Sequence, residues 1–189
     1  TVLEDSTAWH QAIFDPDTNK IVVAFRDQNQ VASGNGAKAA VGTVDPSDNS
    51  ISFGSLVAFD AGMVYGDIAY DTTNNKVVVA YQYRSTNAGE AVVGTVSGTS
   101  ISFGSTVTFE SSSIKEYLSI TFDSNAGKVF ISYQQSNDHR GIVGTVSGTS
   151  ISFGSAADIN SGESRDSSCT FDSAVNKVVV IYDDENNSN

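Results

Sequence analysis

A pentapeptide that returns at a fixed interval constrains this chain more than any other feature. Ile51-Ser52-Phe53-Gly54-Ser55 recurs at residues 101–105 and 151–155, 50 residues apart each time. Gly94-Thr95-Val96-Ser97-Gly98-Thr99-Ser100 recurs unchanged at 144–150. Its first copy, Gly42-Thr43-Val44, runs into a longer turn, Asp45-Pro46-Ser47-Asp48-Asn49-Ser50. A second string alternates with the first, at 14–25, 70–81, 122–133 and 171–182. Its leading aspartates, Asp15, Asp71, Asp123 and Asp172, stand 56, 52 and 49 residues apart. Constant apolar strings with variable connections describe one supersecondary unit whose hydrophobic faces are covered by its neighbours.

Each unit parses into four strands. Strand A ends at the Phe/Tyr-Asp pair, as in 119–122. Strand B is the apolar run after the lysine, as in 76–81. Strand C is 91–96 and strand D is 100–109 in the second unit. Short turns join A to B and C to D, so both pairs read as hairpins. Strand B is almost continuously apolar, which predicts burial on both faces between neighbouring sheets. The expected fold is an all-β propeller of four-stranded antiparallel blades, each of about 50 residues. A solenoid would need shorter rungs, and a sandwich would leave the near-identity at period 50 unexplained. Residues 1–189 form one repeat array, with units at about 7–59, 60–109, 110–159 and a partial one at 160–189. Residues 1–6 align with 106–111, so the chain is expected to open part-way along a strand D. It is expected to close at 183–189, where a strand C should follow. The array then belongs to a larger propeller or closes with a second copy.

Composition agrees. Hydrophobic residues make up 39% and charged residues only 17%, with Ser, Thr, Asn and Gly between the apolar runs, which favours strands and turns. The net charge of −12 argues against nucleic-acid binding and against docking on an anionic membrane. No apolar run is long enough to span a bilayer. The single cysteine, Cys169, aligns with Ala12, Ile68 and Ile120, and reads as a small buried side chain rather than a reactive thiol.

At this repeat the residues carry a resemblance. The strings at 75–81 and 92–105 resemble a propeller-type tandem repeat of marine virus and phage proteins of the virion-structural or tail-fibre type. The resemblance implies an extracellular or virion-surface setting and offers no catalytic residues.

In such an array the A–B and C–D turns share one end of each sheet, and the D–A and B–C loops share the other. The first set is nearly uniform from unit to unit. The second differs every time, which marks it as the working end of a rigid scaffold. Its D–A loops hold residues 61–66, 111–117 and 161–166, and its B–C loops 26–38, 82–90 and 134–140. One aligned column reads Trp9, Tyr65, Tyr117, Asp166, and another, two residues on, reads Gln11, Asp67, Ser119, Ser168. The column after strand B reads Arg26, Gln82, Gln134, Asp183. Aromatic faces beside amides and carboxylates suit sugars, so Trp9, Gln11, Arg26, Tyr65, Asp67, Gln82, Tyr117 and Gln134 are the candidate ligand-binding residues. The competing expectation is that the aromatics seal gaps between blades.

The Asp15, Asp71, Asp123 and Asp172 column reads as turn caps rather than metal ligands. Asp15-x-Asp17-x-Asn19 imitates a calcium loop, but no Gly and Glu follow at the required spacing. His10 and His139 fall in non-equivalent loops, which disfavours a zinc site or a Ser-His-Asp set. No cofactor, metal or catalytic residue is expected. Carboxylates such as Glu116, Glu163, Asp67 and Asp166 could converge on the working end, but no spacing selects a pair. The expected function is a non-catalytic structural or binding module, contacting a host surface or neighbouring subunits. The alternative is a lectin-like glycan binder, and a glycan hydrolase or lyase ranks below both. Expected partners are further copies or the remainder of a larger propeller, and surface glycans.

Overall fold

A computed structural model describes residues 6–30, 32, 34 and 36–185. The expected strand D remnant at 1–3 and the terminal residues 186–189 lie outside the described residues. The described elements are all β, in four consecutive antiparallel sheets. The first holds β1 (Thr7–Asp15), β2 (Lys20–Asp27), β3 (Ala37–Asp45), β4 (Ser50–Phe53) and β5 (Val57–Asp60). The second holds β6 (Met63–Asp71), β7 (Lys76–Tyr83), β8 (Gly89–Ser97), β9 (Ser100–Phe103) and β10 (Val107–Glu110). The third holds β11 (Ile114–Asp123), β12 (Lys128–Gln135), β13 (Asp138–Ser147), β14 (Ser150–Phe153) and β15 (Ala157–Asn160). The fourth is the hairpin of β16 (Ser164–Asp172) and β17 (Lys177–Asp184).

The A–B turns form for the reason the sequence suggests. Asp15 Oδ1 accepts from the backbone of Asp17 and Thr18, Asp71 Oδ1 from Thr73 and Asn74, and Asp123 Oδ1 from Asn125 and Ala126, at 2.8–3.2 Å. The residue before each lysine must then turn left-handed. Asn19, Asn75, Gly127 and Asn176 have φ of 55°, 54°, 64° and 54°. These are the residue types that enter that region at least cost.

Strand D departs from expectation. It is two short strands rather than one, and both pair with strand C. In the second sheet β9 pairs with Gly94–Ser97 and β10 with Gly89–Ala91. The break falls at the repeated Gly-Ser pair. Gly54 and Gly104 still donate to Val41 and Val93 of their own sheets, both at 2.9 Å. A Cβ on Gly54, however, would stand 1.8 Å from the Thr99 carbonyl oxygen of the next sheet's C–D turn, and one on Gly104 1.8 Å from that of Thr149. The first and second sheets thus receive the next sheet's turn where strand D is interrupted.

The sheets also meet along strand A, with β6 packed between β1 and β11, and β16 on β11. Strand B is buried on both faces in the second sheet, as Val77 to Tyr81 illustrate; in the third, Val129, Ile131 and Tyr133 are buried on one face, and on the other Ser132 is buried and Phe130 half-buried. In the fourth sheet the same run is alternately exposed. Two apolar clusters result, one centred on Val22, Val41, Val79 and Tyr81, the other on Val78, Val93, Ile131 and Tyr133. Cys169 is half-buried, and burial pushes its thiol up to about 11, so it is protonated at neutral pH.

Gly104→Ala should therefore destabilise the chain by about 3 kcal/mol, because backbone cannot yield to the new methyl. Gly154→Ala, whose Cβ would have only the Val143 oxygen at 3.9 Å, should change stability by less than about 0.5 kcal/mol. Urea unfolding of the two variants measures the contrast.

Candidate functional site

The start of every strand A is bulged. Two residues of β1, β6 and β16, and three of β11, sit opposite one residue of strand B before the regular ladder begins. Trp9 and Asp166 occupy the bulge with φ of 55° and 46°. A bulge re-aims side chains at a sheet end, and Trp9, Tyr65 and Tyr117 all fall within it.

That column does not act as one surface. Trp9 is exposed but packs edge-on against Tyr65, with centroids 4.2 Å apart, which joins the first and second sheets. Tyr117 is half-buried and lines a cavity instead. In the Gln11, Asp67, Ser119, Ser168 column, Asp67 and Ser119 form part of the scaffold. Asp67 Oδ2 accepts from Ser119 Oγ at 2.9 Å and from the Ile120 amide at 3.0 Å in the next sheet. Ser119 Oγ in turn accepts from the Cys169 amide at 3.2 Å. A polar side chain in strand A thus satisfies backbone in the following strand A. Gln82 is buried, and its Nε2 donates to the Ile114 carbonyl at 2.5 Å, tying the end of β7 to the start of β11. Gln134 is buried too, with Nε2 donating to the Ser136 carbonyl at 3.3 Å. Arg26 is half-buried, and its Nε has no hydrogen-bond partner among the described residues. Gln11 is half-buried, and Asp183 and Ser168 are exposed.

Both principal cavities open between D–A and B–C connections, the end picked out by comparing repeats. The larger, about 400 Å³, is lined by Ala32, Ala61, Gly62, Tyr83, Arg84 and Ser85, none of them a candidate from the sequence. The second, about 260 Å³, gathers Tyr117, Gln134, Lys115, Asn137, Glu163 and Arg165, with Ser136 beside them. It joins two of the eight sequence candidates to five residues picked singly by no column. Arg165 Nη2 contacts Glu163 Oε1 at 3.0 Å and Nη1 contacts Glu185 at 3.5 Å, so this guanidinium is held between two carboxylates. The side chain of Glu116 lies outside the described residues.

Neither histidine lies in a loop. His10 is in β1, and His139 is in β13, because the third B–C connection is only the two-residue turn Ser136-Asn137. His139 is fully buried. Its Nε2 lies 2.6 Å from Ser132 Oγ and its Nδ1 3.2 Å from Ser164 Oγ, while its ring stacks on Tyr182 at 5.0 Å. Ser132 Oγ also meets Ser167 Oγ at 2.8 Å. These contacts fasten the fourth sheet to the third.

One carboxylate pair escaped sequence reasoning. Asp60, at the end of β5, accepts from the buried Tyr81 hydroxyl at 2.8 Å, and Glu90 lies close by. Burial, reinforced by the Asp60 charge, pushes the Glu90 carboxyl above its ordinary range. The corresponding position in the third sheet is Arg140, which instead sits 3.6 Å from Glu110 and 2.9 Å from Asp158. Neither Asp60 nor Glu90 lines either cavity.

No family model and no curated protein matches the chain. Among solved structures it is similar to the crystal structure of an exo-β-1,3-galactanase from Phanerochaete chrysosporium with β-1,3-galactotriose, at a TM-score of 0.52 and 12% identity. The likeness is one of fold. It covers 82% of this chain and 36% of the galactanase, so the chain spans about a third of that protein's length.

Burial holds the His139 imidazole below its ordinary value. The unfolded chain therefore protonates this residue at a higher pH than the folded one. Its contribution is present above about pH 6.5 and is lost as the pH falls from there toward the folded value. The urea midpoint should drop between pH 7 and pH 5, and the His139→Gln variant should show a shallower drop.

Proposed function

We propose that this chain is a carbohydrate-binding module formed from the blades of a β-propeller, with Tyr117 as the platform for a sugar ring. The observation that carries the reading is the 260 Å³ cavity at the loop end. A sugar offers a C–H face and a ring of hydroxyls that both donate and accept. Tyr117 supplies an aromatic face, Gln134 and Asn137 carry amides of mixed character, Lys115 and Arg165 donate, and Glu163 accepts. The volume lies below the usual range for drug-sized ligands and suits a single sugar residue with its neighbours in solvent. The propeller reading is supported by four consecutive antiparallel sheets packed through strand A, and by the likeness to the galactanase fold.

Binding fits better than turnover. Glycoside hydrolysis uses two carboxyl groups roughly 5–9.5 Å apart across the scissile bond. Among the described residues Glu163 is the one carboxylate lining this cavity, and Arg165 already holds it. A role on a virion or cell surface rests on the resemblance of the repeat, and a glycan binder would be at home there.

A glycan array that includes β-1,3-linked galactosides is the direct test. A bound glycan should lose about tenfold in affinity with Tyr117→Ala, the scale of one aromatic contact. Trp9→Ala, outside the cavity, should leave affinity unchanged. An array without hits, or a Tyr117→Ala chain that binds undiminished, overturns the proposal.

A further inference from the structure

Three buried positions recur at each junction between consecutive sheets: one in strand B, one at the head of strand C and one at the head of the next strand A. Between the first and second sheets they hold Ala24, Ala37 and Met63, and between the second and third Ala80, Gly89 and Ile114. Between the third and fourth the same places hold Ser132, His139 and Ser164, each 0% exposed. The ladder fixes the correspondence, since Ala37, Gly89 and His139 pair with Asp60, Glu110 and Asn160 in turn. A hydrogen-bonded set with one titratable ring thus stands where the other junctions are apolar. The crossing bond differs as well. Gln82 reaches over its junction to the Ile114 carbonyl, whereas its counterpart Gln134 donates to Ser136 of its own turn and lines the 260 Å³ cavity. The bond to the head of β16 comes from His139 Nδ1 instead, at 3.2 Å from Ser164 Oγ. Ser164 stands between Glu163 and Arg165, which line one wall of the cavity, and His139 follows Ser136 and Asn137, which line the other.

We infer that the Ser132, His139 and Ser164 cluster is a pH-operated latch on this cavity: the neutral imidazole ties its walls together, and protonation releases the wall carried by the fourth sheet and with it a bound sugar. The latch stands on the cluster's geometry, and the sugar rests on the carbohydrate-binding reading above. A neutral imidazole donates through one nitrogen and accepts through the other, which two serine hydroxyls can match. The cation is a charge in a buried site, and it needs water or a counter-ion. The groups facing the ring are Ser132 and Gln134 from β12, Asn160 from β15, Ser164 from β16 and Tyr182 from β17. Tyr182 is the one titratable side chain among them, and none is an anion at neutral pH. On its own strand Asp138 and Arg140 alternate to the other face, and Arg140 is engaged with Glu110 and Asp158. Beside Ser164, Arg165 is held by Glu163 and Glu185. Water must therefore reach the charged ring. Its contacts within the third sheet belong to a continuous ladder, so the contact that yields is the one with Ser164 and Tyr182.

NMR of the free chain between pH 7 and pH 5 tests the latch without a ligand. The His139 ring should titrate below its ordinary value, and its cross-peaks to the Tyr182 ring should vanish with the same midpoint while those within β12 and β13 persist. A ring that titrates with the Tyr182 cross-peaks intact, or that stays neutral down to pH 5, overturns the assignment. Titration with β-1,3-galactotriose, or with the strongest array glycan where that one is not bound, reads the consequence. Affinity should fall about fivefold or more from pH 7 to pH 5. A chain carrying Ser132→Ala, His139→Ala and Ser164→Met, the set of the first junction, should bind as the native chain does at pH 7 and lose less than about twofold at pH 5. An equal loss in that variant, or a native affinity that is the same at both pH values, overturns the coupling and leaves the binding reading intact. A ring that opens as expected in a chain without an array hit at pH 7 supports the latch and removes the carbohydrate reading instead.

Discussion

How closely one sheet can lie on the next depends on a hydrogen atom where any other residue would have a side chain. Gly54 and Gly104 let the Thr99 and Thr149 carbonyls sit almost on their Cα atoms. That approach seats the Gly-Thr turn of one sheet in the gap at 54–56 or 104–106 of the sheet before; the same gap at 154–156, where Gly154 receives no turn, belongs to strand D itself. The approach also brings strand C of one sheet over strand D of the next, which is why Val41 and Val93 lose all contact with water. Toward the middle of the array the spacing is held differently, by the chain of acceptors from Asp67 through Ser119 to the Cys169 amide. One device is apolar and steric and the other polar and directional. Together they fix sheet separation at the periphery and at strand A.

Much of this was legible in the sequence because it repeats. The Asp caps, the Asn or Gly before each lysine and the two hairpins per unit are local chemistry, and local chemistry is written in contiguous residues. The split of strand D was not legible, since Ile101, Phe103, Val107 and Phe109 keep one alternation across the Gly-Ser break and read as a single strand. Asp67 was misleading for a related reason. A carboxylate at the start of a strand resembles a site, and only the neighbouring sheet reveals that its oxygens are occupied by Ser119 and Ile120. A polar residue recurring in a column of strands that otherwise alternate apolar and small was the available clue.

The candidate site divides the same way. Variation between repeats pointed to one end of the sheets, and both cavities open there. It could not select the residues, because Tyr117 and Gln134 share a cavity with Lys115, Asn137, Glu163 and Arg165 from three different connections. Aligned positions differ in fate as well. Trp9 and Tyr65 close on one another, while Tyr117 faces a space. Equivalent places in a repeat become inequivalent once their neighbours differ, and His139 makes the point in reverse. A loop shortened to Ser136-Asn137 draws it into a strand and buries it against Tyr182.

The bulge at the head of each strand A has a consequence for how such a chain can change. One surplus residue is absorbed in β1, β6 and β16 and two in β11, yet beyond the bulge every strand A meets its strand B in the same register down to the Asp–Lys pair. The bulge works as slack in a belt. Insertions and deletions in the connecting loops are taken up before they reach the shared interior. The loop end is therefore free to vary in length as well as in composition, while the glycine sockets and the strand A ladder hold the spacing of the sheets beneath it.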